Sequence, residues 1–168
     1  MSDWSAHVAA YLREADRERY LATLFVPVAQ RADVQALLAF ATEIAGIPAR
    51  VREPSAGEIR LQWWIDAIEG DGHGDVRQNP TAAALLDVLE RHELPAGPLI
   101  RLLRARRFDL YQDPMPDLAS FEGYAGETES VLFQLSALIV GGGETLPGDA
   151  AGYLGVARAL TGHLRAFG

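Results

Sequence analysis

A short loop from Glu69 to Asp75 contains side chains that commonly bind metal ions. Asp71, His73 and Asp75 stand at alternate positions, so their side chains can converge on one cation. Three glycines lie between and beside them, and the segment offers no fourth ligand. Loops rich in Gly and Asp are usually solvated turns. We therefore predict a flexible, solvated loop, with a metal site as the alternative.

The arginines near the middle of the chain form its one basic cluster, which contains Arg101, Arg104, Arg106 and Arg107. Such a cluster can meet acidic lipid or an acidic partner. Arg101 and Arg104 alternate with leucines in the pattern of an amphipathic helix, which places them on a solvated face. Asp109 can pair with one of these arginines. The cluster is therefore predicted to be an ordinary solvated helix face, and lipid or partner binding is the alternative.

Other polar and aromatic residues give weaker chemical signals. His163 has no nucleophile or carboxylate partner in view, so we predict a surface or capping role. Trp63 and Trp64 are adjacent and cannot point the same way on a helix, so one is predicted to be core and the other partly exposed. Glu43 is predicted to face solvent or to form a salt bridge. No phosphate-binding Gly-rich loop, Ser/His/Asp set or HExxH pair occurs.

Composition limits the class of protein. A chain of 168 residues, 49% of them apolar, predicts a single domain over 1–168 with a sizeable core. The net charge of −8 argues against nucleic-acid partners, because phosphate binding needs clustered cations. No apolar run is long enough to span a bilayer, and the start shows no signal peptide. We therefore expect a cytoplasmic protein.

Helical periodicity and Gly/Pro punctuation predict an all-α fold without strands. Asp16, Asn79 followed by Pro80, and Asp117 are start signals, as are Asp33 and Ser55. Ser2 or Asp3 is a further candidate cap. The predicted helices run from Ser2 to Glu14, Asp16 to Pro27, Val34 to Ile44, Gly57 to Ile68, from Pro80 until Pro95 breaks the chain, and from Leu99 to Tyr111, Asp117 to Gly141 and Asp149 to Phe167. The last helix is predicted to turn Tyr153, Leu154, Val156, Leu160 and Leu164 inward.

Several of these helices carry a recognisable pattern. Phe40 lies in the helix from Val34, and Leu61 and Trp64 follow in the next one. The segments Arg107-Phe108-Asp109-Leu110, Leu118-x-x-Phe121-x-x-Tyr124 and Gly155 to Arg165 then follow in order. Their order and spacing resemble the head-to-head prenyl synthases, the squalene and phytoene synthases. The resemblance implies an all-α bundle of about eight helices, truncated at the C-terminus relative to family members.

The residues that carry the family's chemistry are replaced. Those enzymes ionise an allylic diphosphate and need carboxylates that hold magnesium. The resemblance places the family's arginine at Thr42, its first aspartates at Ala45, Gly46 and Ala49, and the first aspartate of its second motif at Ala166. The family's glutamine and asparagine fall on Ala159 and Gly162. Alanine cannot bind a cation, so we predict no catalytic residue, no metal site and no cofactor.

A branch of the family lacks these motifs, namely the assembly factors of respiratory complex I and their bacterial relatives. The Arg60-Leu61-Gln62-Trp63-Trp64 run and the segment Leu160 to Phe167 resemble that branch. This resemblance implies a catalytically silent protein that acts by binding, with membrane-complex subunits as candidate partners. Peripheral contact with the inner membrane and self-association stay open. The alternatives are a prenyl transferase, which would need magnesium, and a carrier of apolar lipid.

The former prenyl cavity gives further expectations. Small residues of the family fall on Glu129, Ser130 and Phe133, so we predict that Phe133 fills the cavity with Phe40. Glu129 is predicted to face water or to pair with an arginine, because a buried charge needs a partner. Candidate cavity or partner-surface residues are Phe40, Glu43, Trp63, Trp64, Tyr124 and Phe133. Leu135, Leu138, Leu160 or Leu164 are expected to contribute to an exposed apolar patch.

Overall fold

The structure is a computed structural model that describes residues 4–111, 113–143 and 148–166. Within those ranges it contains ten α-helices and no strand, which confirms the predicted all-α class. Two 3-10 segments (Val76–Gln78 and Arg106–Leu110) and one π-helical segment (Gly126–Ser130) lie between helices. The α-helices are α1 (Trp4–Ala15), α2 (Arg17–Thr23), α3 (Val28–Ala45), α4 (Ile47–Arg50), α5 (Pro54–Glu69), α6 (Pro80–Arg91), α7 (Ala96–Ala105), α8 (Leu118–Ala125), α9 (Val131–Gly141) and α10 (Gly148–Ala166).

Three of the predicted start signals act as expected. The Asp16 side chain accepts a hydrogen bond from the backbone N–H of Arg19, and Asp117 accepts one from that of Ser120. Asn79 caps α6, whose first residue is Pro80. These caps satisfy backbone donors that have no partner inside a helix. The candidate caps Ser2 and Asp3, and the predicted helix end at Phe167, lie outside the described residues.

Two other predicted caps are wrong. Helix α3 begins at Val28, directly after Pro27, and Asp33 lies buried inside it. The Asp33 carboxylate pairs instead with Arg91 and with His92, whose Nε2 is 2.7 Å away. Helix α5 begins at Pro54, so Ser55 is its second residue and makes no cap. In both cases a proline fixes the helix start earlier than the polar residue does.

Helix α3 is the centre of the core and packs against α1, α6 and α9. Phe40 is completely buried, and its ring meets that of Trp64 edge to face at 5.0 Å. Trp64 is buried and Trp63 is partly buried, as predicted for the pair. Burial of such side chains stabilises a fold by about 1.5–3 kcal/mol each.

The predicted face of α10 is wrong. Ala151, Gly155 and Ala159 face inward, whereas Tyr153, Leu154, Leu160 and Leu164 are exposed and Val156 is partly buried. Small residues face inward because α10 lies directly on the π-helical segment: a Cβ at Gly155 would stand 2.3 Å from the backbone nitrogen of Ser130. Leu160 and Leu164 thus leave apolar surface exposed, as expected, but Leu135 is buried and Leu138 packs against the core.

Candidate functional site

A cavity of about 530 Å³ opens between α2, the end of α3, the segment Arg106–Leu110, the π-helical segment and α10. Three positions at which the resemblance places family chemistry line it: Ala45, Ala159 and Gly162. Most of the remaining wall is charged. We call this space the polar cavity, and it corresponds to the place where the family's ionisation site is expected.

Glu129 is at the centre of the charged wall. Its carboxylate accepts hydrogen bonds from Nη2 of Arg19 at 2.8 and 3.0 Å, and from Nη2 of Arg106 at 2.9 Å. Both Glu129 and Arg19 are 8% exposed. The predicted pairing of Glu129 with an arginine is therefore confirmed, and two arginines share it. A buried carboxylate needs such partners because desolvation of an isolated charge is costly.

Arg106 extends this network towards α8. Its Nη1 donates to Asp109 at 3.0 Å and to the hydroxyl of Tyr124 at 2.7 Å, and Tyr124 in turn donates to Asp109. Burial opposes the charged form of Arg106, but the negative groups around it outweigh that effect and raise its pKa. Burial also raises the pKa of Tyr124 well above its ordinary value. The group is therefore held as a charged guanidinium beside a neutral phenol.

A second set of ion pairs closes the outer side of the polar cavity. Arg158 on α10 contacts Asp16 at 3.2 Å and Glu18 at 3.3 Å. Arg165, about two helical turns further along α10, also pairs with Glu18. The hydrogen bond from Arg165 and its charge, with the help of Arg158, lower the pKa of the Glu18 carboxyl. These pairs tie the start of α2 to α10.

The charges of the polar cavity neutralise one another. In the described part of the chain, four arginines meet four carboxylates there: Arg19, Arg106, Arg158 and Arg165 face Asp16, Glu18, Asp109 and Glu129. Each carboxylate is engaged by a guanidinium, and no cluster of metal-binding side chains is found among the described residues. The arginines are likewise engaged and leave little free positive charge for a diphosphate. The residues present do not fit the magnesium–diphosphate site of the family.

The backbone at the first aspartate positions is also unsuitable for a metal site. Helix α3 ends at Ala45, Gly46 follows as its C-cap, and Ala49 belongs to the separate short helix α4. Ala45 lines the polar cavity, but Ala49 is exposed and lies outside its wall. The first aspartate of the second motif falls on Ala166, whose side chain lies outside the part of the chain that the structure describes. Thr42, where the family's arginine is expected, accepts a hydrogen bond from Arg19 at 3.2 Å, so a cation reaches this place from α2 instead.

The candidate cavity residues do not line one common cavity. Phe40 is inside the core. Glu43, Trp63 and Trp64 border a groove of about 350 Å³ on the other side of α3 and α5. Tyr124 belongs to the polar cavity.

Phe133 lies apart from all of these. It is partly exposed and lines an apolar cleft of about 240 Å³, together with Val26, Val34, Leu38 and Leu132. The expectation that Phe133 fills a cavity together with Phe40 is therefore wrong, because Phe40 packs against Trp64 while Phe133 borders a space that is still open.

The remaining sequence candidates are dispersed over the surface. Asp71, His73 and Asp75 are exposed, in agreement with a solvated loop. Arg101 and Arg104 are exposed on α7, and Arg101 pairs with Glu127 at 3.2 Å, as expected of a solvated face. Arg106 is different, because it turns into the polar cavity. His163 is exposed at the edge of the polar cavity, and the Nδ1 atom of its ring lies 3.1 Å from the carbonyl oxygen of Ala159.

The fold places this chain in a known class. It matches the crystal structure of a dehydrosqualene synthase with a TM-score of 0.76 and 21% identity, over 96% of this chain and 56% of that one. This agreement shows the α-helical fold of that synthase. The profile of the family described as squalene/phytoene synthase matches residues 12–168, so the chain belongs to that family.

Its relatives within the family include proteins that carry a different name. The human NADH dehydrogenase (ubiquinone) complex I, assembly factor 6, is 31% identical over 155 residues, which are 92% of this chain and 46% of the human protein. The bovine protein of the same name is 30% identical over the same share. The Drosophila melanogaster homolog is 30% identical over 95% of this chain and 49% of its own length. The predicted likeness to the assembly-factor branch is confirmed. The chain spans about half the length of these relatives.

Proposed function

We propose that this chain is a catalytically silent member of its family that acts by binding, as a helper in the assembly of respiratory complex I. The likeness to assembly factors supports this role. Its partners are then subunits or precursors of that membrane complex. We place this work in the cytoplasm, against the inner membrane. Within the described residues, no helix has the length and apolar character needed to cross a bilayer.

One observation carries the catalytically silent part of the proposal. Glu129 projects into the polar cavity and binds Arg19 and Arg106 there. A prenyl transferase needs free cations for the leaving diphosphate and free carboxylates for magnesium. Here both kinds of group are present, but they bind each other. The ion pairs of the cavity therefore hold α2, the segment Arg106–Leu110, the π-helical segment and α10 together, and they leave no free groups to ionise a substrate.

A turnover assay tests this part directly. The purified protein is incubated with farnesyl or geranylgeranyl diphosphate and Mg²⁺, and released pyrophosphate is measured beside a dehydrosqualene synthase as the positive control. We expect no release above the protein-free background. Magnesium-dependent release that grows with protein concentration would overturn the proposal and favour a working prenyl transferase.

A genetic experiment tests the assembly part. Deletion of the gene in the source cell should reduce assembled complex I on a native gel, and the wild-type gene should restore it. A variant of the cavity edge, His163→Ala, should restore it equally well, because the role does not depend on cavity chemistry. Normal complex I in the deletion strain, with altered prenyl products, would contradict the role.

The apolar cleft beside Phe133 favours a second candidate, a carrier of apolar lipid. Its volume of about 240 Å³ is below the ~300–1,000 Å³ of typical ligand pockets, and it is open rather than enclosed. Native mass spectrometry of protein purified from the source cell distinguishes the two. A retained lipid that is lost in Phe133→Trp would support the carrier.

A further inference from the structure

The connection between α2 and α3 exposes an unusual amount of apolar surface. Leu21 and Leu24 are 45% and 44% exposed, Phe25 is 93% exposed and Val28 is 79% exposed. We call these four residues the apolar corner. No charged residue occurs in the sequence from Tyr20 to Gln30. Most exposed apolar residues of a protein are scattered singly, so four of them in one connection between two helices indicate a contact surface.

The backbone of the apolar corner is prepared for an apolar environment. The N–H groups of Leu24, Phe25 and Val26 donate to carbonyl oxygens three residues earlier, at 3.1, 3.2 and 3.0 Å. Nη2 of Arg31 donates to the carbonyl oxygens of Leu24 and Val26, at 3.0 and 3.1 Å. Backbone groups without partners are costly in a medium that cannot form hydrogen bonds. The backbone from Leu24 to Val26 can therefore leave water at little cost. The N–H of Val28, at the start of α3 without a side-chain cap, needs an acceptor such as a headgroup oxygen.

Positive charge flanks the corner. Arg17 lies four residues before Leu21, on the same face of α2, and Arg31 follows the corner on α3. Neither arginine forms a salt bridge with any described carboxylate. The acidic residues nearest in sequence are engaged elsewhere, since Asp16 and Glu18 pair with Arg158. An apolar tip beside two arginines whose charge no described carboxylate neutralises is complementary to a lipid surface with anionic headgroups.

We propose that the apolar corner docks this protein on the surface of a membrane that contains anionic lipid. Phe25 and Val28 enter the headgroup–acyl boundary, and the exposed Arg17 meets a lipid phosphate. Arg31 adds positive charge beside the surface while its Nη2 stays on the carbonyl oxygens of Leu24 and Val26. A lipid surface fits better than a protein partner because of size. Four side chains on one turn offer much less than the ~800 Å² that each partner buries in a standard protein–protein interface. The inference stands on the corner alone and does not depend on a role in complex I assembly.

Vesicle flotation with the full chain tests the proposal. The wild-type protein should float with vesicles of phosphatidylcholine and phosphatidylglycerol, and much less with phosphatidylcholine alone or at high salt. Phe25→Asp and Val28→Asp should each weaken flotation about tenfold or more, because a charge replaces the inserted group. The matched control is Ile59→Asp on α5. Ile59 is 71% exposed and far from the corner in sequence, so this variant should float like the wild type.

Two outcomes would overturn the proposal. The first is a wild-type protein that floats with neither kind of vesicle. The second is equal flotation of wild-type and Phe25→Asp proteins. If this second outcome comes with loss of self-association of Phe25→Asp in sedimentation, the corner is a protein interface instead. Because all three substituted side chains are exposed, thermal unfolding should be nearly unchanged and serves as the folding control. The complex I deletion phenotype is measured separately, so failure of either proposal leaves the other testable.

Discussion

The guanidinium of Arg19 lies 2.8 Å from the carboxylate of Glu129, although 110 residues separate them in the chain. This pair joins α2 to the π-helical segment, and Arg106 completes it from a third element. Both residues are buried, so water does little to screen the pair. The stability of this part of the fold should therefore depend on keeping the charges matched.

Glu129→Gln should lower the free energy of unfolding by about 3–5 kcal/mol, because it leaves two buried guanidiniums without their shared carboxylate. The matched control is Glu127→Gln in the same segment, since Glu127 forms an exposed pair with Arg101. Loss of such a pair costs less than about 1 kcal/mol. Urea unfolding of both variants measures the difference. Equal, small losses would show that the buried pair contributes no more than a surface pair.

Gly155→Ala should destabilise the protein by about 1–3 kcal/mol, as for an overpacked core, because the new methyl group collides with the backbone of Ser130. Gly162→Ala on the same helix is the control: nothing lies within 4 Å of its added Cβ. There the gain in helix propensity should make the change neutral or stabilising, by up to about 1 kcal/mol. Thermal unfolding compares the two. A stable Gly155→Ala protein would contradict the close packing of α10.

The close approach of α10 to the π-helical segment also explains why the inward face of α10 was not predicted from the sequence. Periodicity assigns large apolar residues to the core, so Tyr153 and Leu164 were expected inside. The helix instead approaches its neighbour so closely that only Ala and Gly fit. By contrast, the caps Asp16, Asn79 and Asp117 depend on two or three neighbouring residues, and the sequence is sufficient to identify them.

The candidate site was predictable in one respect. A charge at Glu129 has to face water or find a partner, and the second of these alternatives, an arginine, is the one that the structure has. Which arginine it is depends on how elements distant in sequence meet, and no spacing signal links Arg19 or Arg106 to Glu129. The predicted cap at Asp33 is wrong for a related reason. The carboxylate of Asp33 binds Arg91 and His92, which are 58 and 59 residues away in the sequence. Local patterns thus identify elements, whereas tertiary packing decides what each charge binds.

Restoring two aspartates should not restore a metal site. In Ala45→Asp/Ala49→Asp the carboxylates lie on different helices, and only position 45 borders the polar cavity. We expect Mg²⁺ with pyrophosphate to leave the melting temperature of both the wild type and the double variant unchanged. A ligand at a hundred times its Kd would stabilise by ~2.7 kcal/mol, which is easily detected. A melting temperature that rises with magnesium concentration in the double variant alone would show that these two aspartates are sufficient to form a metal site.

Phe133→Ala should cost less than about 3 kcal/mol, because the ring is only partly buried and borders an open cleft. The sequence-based expectation for a filled cavity was about 3–5 kcal/mol, the usual loss for a buried phenylalanine. Phe40→Ala is the comparison, since Phe40 is completely buried and should show that larger loss. Equal losses for the two variants, measured by urea unfolding, would mean that the cleft closes over Phe133.

Alkaline pH should weaken the fold through Tyr124. Because its pKa is raised in the folded chain, the folded state keeps this proton more tightly than the unfolded state. Stability contributed by the neutral phenol is therefore complete below about pH 10, the ordinary tyrosine pKa, and is lost as pH rises beyond it. Tyr124→Phe should be less stable at neutral pH and should lose less stability than the wild type as the pH rises above about 10.

Tyr153→Phe, at a tyrosine that is 77% exposed, is the control for this measurement and should follow the wild type at every pH. Parallel pH profiles for the wild type and Tyr124→Phe would show that this phenol does not couple to folding.

The π-helical segment has a consequence for the chain around it. A helical turn with an extra residue shifts the phase of everything that follows, by about 100° per residue. Phe121 before the segment and Leu132 after it are both buried: α8 packs against α10, whereas α9 packs against α3 as well as α10. Deleting one residue between Gly126 and Ser130 would make the stretch a regular α-helix and rotate one half relative to the other. One possible result is that the buried residues of α9 leave the core, namely Leu132, Leu135 and Ile139. The other is that Phe121 loses its contact with α10 and Tyr124 loses its hydrogen bond to Asp109. The extra residue thus acts as a phase correction that allows one continuous helix to serve two differently oriented surfaces.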